Sequence, residues 1–392
     1  MTVETLFLEI GGSQCRKHGE NVCGDAFQSQ KIQGENRVVS VLSDGLGSGV
    51  KASILSIMTA TMAMKYVAIN RDIRRASGII MKSLPVCQVR GIRYATFTVV
   101  DTVLHGLTRM MEMGNPSALL IRDNNIASIA RHPLTEPKRA GRDLTIAEIA
   151  TRPNDRIVVF SDGITQAGLG TPDWKLGWRE GGCAAYVKDV VTRQPDISAR
   201  NLADLIVKEA LRKEQRLEAK DDMTCAVLYF RTPRRLLIVS GPPYDRAMDA
   251  ETAWRVTRHP GRVAVCGGTT ANILARELKT TIRMDLRTAS RDLPPTSVMD
   301  GVELITEGIL TLTRTAQYLD APPAVAPDNA AGRLYNLLMD SDIIEFLVGT
   351  RINEAHQDPS LPADLEIRRN IVKRMAASLN VRHLKETSIQ YI

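Results

Sequence analysis

The sequence predicts an α+β fold: two antiparallel sheets packed together and flanked by helices over residues 1–232, with a smaller α/β region over 233–392. Three observations carry that expectation. Short β-branched runs separated by turn residues recur through residues 1–231. A long apolar run of helical character, 49–69, interrupts them, and a second helical pattern falls late in the segment. Thr232-Pro233-Arg234-Arg235 then breaks the pattern, and a chain of 392 residues exceeds what one hydrophobic core organises.

Taken in order, residues 5–10 and 37–42 read as strands, and 49–69 as a helix with a second over 71–82. Strand character returns over 92–101, where Tyr94, Thr96, Thr98 and Val100 alternate with Ala95, Phe97 and Val99. Residues 107–113, 117–122 and 125–130 read as a meander with turns at Asn115-Pro116 and Asp123-Asn124-Asn125. Residues 155–161 form a strand running into Asp162-Gly163. Ser198 is a good N-cap for a helix reaching about Glu214, with Leu202, Leu205, Ile206 and Ala210 on one face. A strand over 223–230 closes the first domain. In the second, 236–240 and 262–266 are strands, the latter followed by Gly267-Gly268-Thr269-Thr270 and a helix from about Ala271. The Pro/Ala-rich stretch 321–329 reads as a loop or linker. The remainder is expected to be mostly helical, with one strand at 343–348.

Composition narrows the function. Apolar residues are 44% and charged residues 24%, ordinary globular values, while aromatics are only 4%. The net charge of +7 is scattered, with no long basic run and no interleaving of aromatic and basic residues, so no nucleic-acid partner is expected. Six cysteines (15, 23, 87, 183, 225, 266) form no C-x-x-C pair, and Cys15, His18 and Cys23 lack the second half of a zinc site. Reduced thiols, an opening stretch without secretory character, and polar interruptions at Ser56, Thr59, Thr61 and Lys65 in the longest apolar run predict a cytoplasmic chain that does not span a membrane.

Four acidic positions stand at expected strand ends: Asp25 after Gly24, Asp44 before Gly45, Asp162 before Gly163, and Asp221-Asp222 before the strand at 223–230. Hard divalent cations take oxygen ligands and keep several waters, so carboxylates converging from separate strand ends suit Mg²⁺ or Mn²⁺. A glycine beside the aspartate lets the backbone come close. Taken singly, each Asp-Gly is ordinary turn chemistry.

In combination, Gly24-Asp25, Ser43-Asp44-Gly45-Leu46-Gly47-Ser48-Gly49, Ser161-Asp162-Gly163 and Asp221-Asp222-Met223-Thr224 resemble the PPM (PP2C-type) phosphatases. The bacterial branch typified by the sporulation phosphatase of stage II E is the nearer likeness, and Met113-Gly114-Asn115-Pro116-Ser117-Ala118 is similar to its segment before a strand. The resemblance covers residues 1–231. It implies an α-β-β-α sandwich with a centre of two Mn²⁺ or Mg²⁺ ions, in which Asp44 bridges both, the Gly45 carbonyl joins the first, and Asp25, Asp162 and Asp221 hold the second. Asp222 ranks next, as a direct or outer ligand. The implied reaction is attack of metal-activated water on a phosphoserine or phosphothreonine ester, with no protein nucleophile, which leaves Cys23 structural. Eukaryotic members carry a histidine where this chain has Leu46, and their phosphate-binding arginine has only Arg16 or Lys17 as a counterpart here. The helices after the first Asp-Gly are implied to act as a switch, and packing of an apolar face with Met58, Met62 and Met64 is the plain alternative.

The expected partner is a phosphorylated regulatory protein, and a homodimer stays open. Two other readings remain: a catalytically silent binding or scaffold protein of the same fold, and a hydrolase of a small phosphorylated metabolite. In the extension, Gly267, Gly268, Thr269 and Thr270 mark a helix start suited to an anion, or a plain capping turn. They match neither a Walker sequence nor G-x-G-x-x-G. With the polar clusters at 349–353 and 356–359 they would line a pocket for a small effector.

Overall fold

The computed structural model describes residues 6–32, 35–69, 75, 79–80, 95–104, 106–134, 144–323, 325–351 and 361–392. The chain divides into two compact units, Met1–Thr232 and Pro233–Ile392.

In the first unit the strands are β1 (Phe7–Cys15), β2 (Asp25–Ile32), β3 (Arg37–Gly45), β4 (Ala95–Val103), β5 (Leu107–Met113), β6 (Leu119–Arg122), β7 (Asn125–Ala127), β8 (Arg131–Pro133), β9 (Thr145–Ala150), β10 (Arg156–Phe160) and β11 (Met223–Arg231). The helices are α1 (Gly49–Ile69), α2 (Asp162–Thr165), α3 (Arg179–Arg193) and α4 (Ala199–Lys213). Two sheets result, ordered β1-β11-β10-β6-β7 and β2-β3-β4-β5-β9-β8, and every pairing in them is antiparallel. Leu42, Val100, Met110, Ile157, Ala226 and Phe230 meet between the sheets. Outside the first sheet, Val187 and Val191 of α3 and Leu202 and Ile206 of α4 cover Val158, Phe160 and Cys225. Outside the second, Ala60, Ala63, Met64 and Val67 of α1 cover Val39, Val41, Phe97 and Val99. The central strands are therefore apolar on both faces, which is why β3 and β10 read as continuous apolar runs rather than alternating ones.

Ser198 caps α4 as expected, its hydroxyl accepting from the Asn201 N–H at 3.2 Å. The meander expected over 107–130 is not one: β5 stays in the six-stranded sheet while the β6–β7 hairpin joins the five-stranded one. The crossing lies at 114–118. Gly114 takes φ 77°, Asn115 turns its amide onto Thr96 and Thr98 of β4, and Pro116 has no N–H to continue a ladder. Along α1, Met64 is buried and Met62 half-buried, but Met58 is exposed beside Val50, Ile54 and Ile57. By length and composition α1 is apolar enough to cross a membrane; here one face lies on the sheet. The helix expected over 71–82 lies largely outside the described residues.

The second unit contains β12 (Arg235–Ser240), α5 (Asp249–Arg258), β13 (Arg262–Cys266), α6 (Gly268–Leu278), β14 (Arg283–Asp285), β15 (Thr296–Met299), β16 (Val302–Thr306), α7 (Ile309–Asp320), α8 (Ala330–Met339), β17 (Ile343–Val348), α9 (Leu361–Arg382) and β18 (Glu386–Tyr391). They form one sheet, β14-β15-β16-β13-β12-β17-β18, parallel from β16 to β18. This is a doubly wound arrangement. Residues of α5 and α6 pack with Leu237, Val239, Val263 and Val265 on one face. Those of α7, α8 and α9 pack with Leu236, Ile238 and Ala264 on the other. The tail after 329 is mostly helical with β17, as expected, and adds only β18; β14, β15 and β16, short strands before 321, were not anticipated. The stretch 321–329 joins α7 to α8 inside this unit and so is a loop rather than a linker between units.

Candidate active site

The register of the second sheet of the first unit sets Asp25, the first residue of β2, directly opposite Asp44, near the end of β3. In the other sheet Phe160, the last residue of β10, faces Cys225 near the start of β11. Asp162 follows the first of these strands and Asp221-Asp222 precedes the second, so all five carboxylates gather at one end of the sandwich. Two glycines make the approach possible. A Cβ on Gly45 would stand 2.1 Å from the Ala52 carbonyl oxygen in the first turn of α1, and a Cβ on Gly163 would stand 2.1 Å from that of Asp222.

Crowding of like charge dominates the electrostatics. Burial, then the charges of Asp25, Asp162 and Asp221, push Asp44 from 3.8 up to about 9, and a hydrogen bond links it to Asp162. Burial raises Asp25 to about 7, while hydrogen bonds from Ser161 and Thr224 pull the other way and Asp222 and Asp162 add to the rise. Asp221 is raised by burial, offset by the Asp222 N–H at 2.9 Å and by Lys17. Asp222 plays a different part: its Oδ1 accepts the Lys17 N–H at 3.0 Å, and its Oδ2 lies 2.7 Å from the place a Gly24 Cβ would take. It ties the loop after β1 to the start of β11.

Whether these residues fit a hard divalent cation is decided by the donors. Asp25 Oδ2 is buried with no hydrogen-bond partner among the described residues, and Asp44 carries the repulsion of three neighbouring carboxylates. A multivalent cation would neutralise such a cluster, as protons on Asp44 and Asp25 do in its absence. Among the described residues no set of three or more His, Cys, Asp and Glu side chains is already arranged as the ligands of one ion. Mg²⁺ and Mn²⁺ need only one or two carboxylates each when waters complete the shell. Asp25, Asp44, Asp162 and Asp221 are the donors that would fit that role.

Of the phosphate-binding candidates, Arg16 is exposed and donates to the Asn21 carbonyl at 3.3 Å, whereas Lys17 is near enough to Asp221 to stabilise its charge. Two supporting residues, Gln14 and Glu20, escaped the sequence reading, and Ser161 and Thr224 entered it only as motif letters. Gln14 donates to the Asp25 carbonyl at 3.3 Å and to Thr224 Oγ1 at 3.1 Å. Ser161 Oγ accepts the Thr224 N–H at 2.9 Å. Glu20 accepts from Ser48 Oγ at 3.0 Å beside Gly49, holding the loop between β3 and α1. A lone polar residue near a motif carries no sequence signal that separates it from a solvated one.

In the second unit Gly267 caps α6 with φ 140°, Gly268 and Thr269 are exposed, and Thr270 is buried. A cleft of about 250 Å³ opens elsewhere, lined by residues including Trp254, Arg258, His259, Glu345 and Gln390. The clusters at 349–353 and 356–359 lie largely outside the described residues.

The two-sheet antiparallel sandwich with outer helices is the one that the resemblance to the PPM (PP2C-type) phosphatases implied, and the carboxylates gather at one end of it. The family model for stage II sporulation protein E (SpoIIE) matches residues 34–231, just over half of the chain, and the chain belongs to that family. Among solved structures, the chain is similar to the phosphatase domain of SpoIIE from Bacillus subtilis, with 18% identity, 58% of this chain and 94% of that one covered, and a TM-score of 0.45. It is also similar to the RsbU and RsbW domains of a Mycobacterium tuberculosis protein, with 19% identity, coverage of 64% and 68%, and a TM-score of 0.46. A third is a PPM Ser-Thr phosphatase from Mycobacterium smegmatis in complex with cacodylate, with 14% identity, coverage of 56% and 97%, and a TM-score of 0.36. No curated protein matches the sequence.

Proposed function

We propose that this chain is a cytoplasmic, Mn²⁺- or Mg²⁺-dependent phosphatase that removes phosphate from phosphoserine or phosphothreonine of a regulatory protein. Membership of the SpoIIE family supports the class, and the observation that carries the reading is the crowding of Asp25, Asp162 and Asp221 around Asp44. Asp25, Asp44, Asp162 and Asp221 would hold two ions. When bound, such ions lower the pKa of water and neutralise charge on a phosphoryl group. The chain's own residues do the rest. Asp222 fixes the backbone of Lys17, whose cation is left to attract an incoming phosphate. Glu20 and the Gly45–Ala52 approach hold the loop that aims Asp44. Leu46 has no proton to give, so protonation of the leaving alkoxide falls to water. Cys23 is no rival nucleophile: burial pushes its thiol up to about 12, leaving it protonated at neutral pH.

The test is turnover of phosphopeptides and of an aryl phosphate by the full chain with Mn²⁺, with EDTA, and as Asp44→Asn. The proposal expects metal-dependent release of phosphate from the peptides, lost in the variant. Turnover in EDTA, or an active Asp44→Asn, would overturn it. Activity confined to small phosphates would replace the protein substrate by a metabolite, and no activity on any substrate would favour a binding protein.

A further inference from the structure

We propose that the C-terminal ends of β13 and β16, in the second unit, form a binding site for a phosphate group, free or carried on a small hydroxylated molecule. These strands are parallel neighbours, with Cys266 beside Thr306 at their ends. Each runs through glycine into a helix: β13 through Gly267 into α6, of 11 residues, and β16 through Gly308 into α7, of 12. The helices pack on opposite faces of the sheet, α6 through Ala271 and Leu274 and α7 through Leu312 and Ala316. Two positive helix ends therefore meet at one edge. The loops touch: the Gly267 N–H donates to the Thr306 carbonyl at 2.9 Å, and a Cβ on Gly308 would lie 3.6 Å from Gly267 Cα. Neither glycine cap supplies a side-chain acceptor to the first turn, where the leading N–H groups have no carbonyl partner within the helix.

The second, independent observation is a pair of hydroxyls. Thr270 and Thr311 occupy the same position, third in each helix, and are 2% and 0% exposed. Both Oγ1 atoms are buried with no hydrogen-bond partner among the described residues. Thr270 Oγ1 points at the glycine turn, 3.4 Å from where a Gly267 Cβ would stand. Buried hydroxyls are nearly always bonded, so this one marks a place for an acceptor. The end of α7 is already served by an anion of the chain, since Glu307 Oε2 accepts the Leu310 N–H at 3.2 Å. The cap of α6, Gly267, supplies no such carboxylate. Gly268 there has open space over its α-carbon, which lets an anion reach the main chain. Several converging donors suit the oxygens of a phosphate better than a carboxylate. Exposed Glu307, next to them, can accept from hydroxyls on whatever carries the phosphate.

Calorimetric titration of the full chain in EDTA, where the metal-free carboxylates of the first unit repel anions, tests this with inorganic phosphate and with ribose 5-phosphate. Saturable binding is expected for at least one, unchanged in Asp44→Asn. Thr270→Val should weaken binding by about tenfold, the loss of one hydrogen bond to a charged ligand. Without phosphate it should melt no lower than the parent, because it removes a hydroxyl that has no partner. Gly268→Glu, which sets a carboxylate on the α6 end, should abolish binding while the chain stays folded. Tighter binding of ribose 5-phosphate, with the advantage lost in Glu307→Gln, identifies an ester as the ligand; equal binding identifies free phosphate. Absence of saturable binding for both, or binding unaffected by Thr270→Val and Gly268→Glu, would overturn the proposal.

Discussion

Replacing Asp44 by asparagine keeps the shape of the side chain and deletes one charge from the middle of the carboxylate cluster. With Asp44 pushed from 3.8 to about 9, the folded metal-free chain at neutral pH must protonate it or hold it ionised against its neighbours. At about 1.4 kcal/mol per tenfold change in acidity, that costs about 4 kcal/mol relative to a neutral side chain. Solvent at the open end of the sandwich reduces this to about 2 kcal/mol. The sign follows from the direction: the folded value lies above the unfolded one. Stability from this group is therefore complete below about pH 4 and is lost as pH rises through about 9, with Asp25 doing the same through about 7. Urea denaturation in EDTA between pH 5 and pH 9 should show the parent weakening with pH and Asp44→Asn weakening less. At neutral pH the variant should be more stable by about 2 kcal/mol, or melt about 4–8 °C higher. Mn²⁺ at a hundredfold excess over its dissociation constant should then stabilise the parent by about 2.7 kcal/mol, with most of that gain lost in the variant. A variant less stable than the parent in EDTA, or equally stabilised by Mn²⁺, would refute the reasoning.

Other substitutions probe the scaffold around the site. Gly45→Ala places a methyl 2.1 Å from the Ala52 carbonyl oxygen; it should push α1 off the end of β3 and cut phosphatase turnover by more than about tenfold, with a loss of about 2 kcal/mol in urea denaturation. Asp101 is 1% exposed and accepts from Arg37 at 2.7 and 3.0 Å, while Arg37 also donates to the Val67 and Ala68 carbonyls at the end of α1. Asp101→Ala removes the main partner of that guanidinium and leaves it Glu35, at 3.7 Å, as its counter-charge among the described residues, which should cost about 3 kcal/mol by the same measurement. Lys17→Gln should raise KM for a phosphopeptide several-fold with kcat little changed, since the cation attracts substrate without touching the reacting bond.

What sequence reading reached and missed follows from how far each feature acts along the chain. β3 and β10 were readable because both faces are buried, so their apolar runs end abruptly at Asp44 and just before Asp162. The Ser198 cap was readable because it is decided within four residues. The placing of β6 and β7 in the other sheet was not, because Asn115 makes that turn by bonding to Thr96 and Thr98 far back in the chain. β14 and β15 escaped because Arg283–Asp285 and Thr296–Met299 are short and carry little apolar character, and they become strands only by pairing outward from β16. In the site, the aspartates were chosen for their strand-end positions and motif likeness. That Asp25 stands opposite Asp44 depends on register, and the parts played by Gln14, Glu20 and Thr224 depend on packing between elements.

The measurement closest to the heart of the account is equilibrium binding of Mn²⁺ to the full chain at neutral pH, compared with Asp44→Asn and Asp162→Asn. If Asp44 is a ligand of both proposed ions, its substitution should abolish binding of both, while Asp162→Asn should lose one. Undiminished Mn²⁺ binding in Asp44→Asn, or none in the parent, would mean that these carboxylates gather for some purpose other than a metal centre.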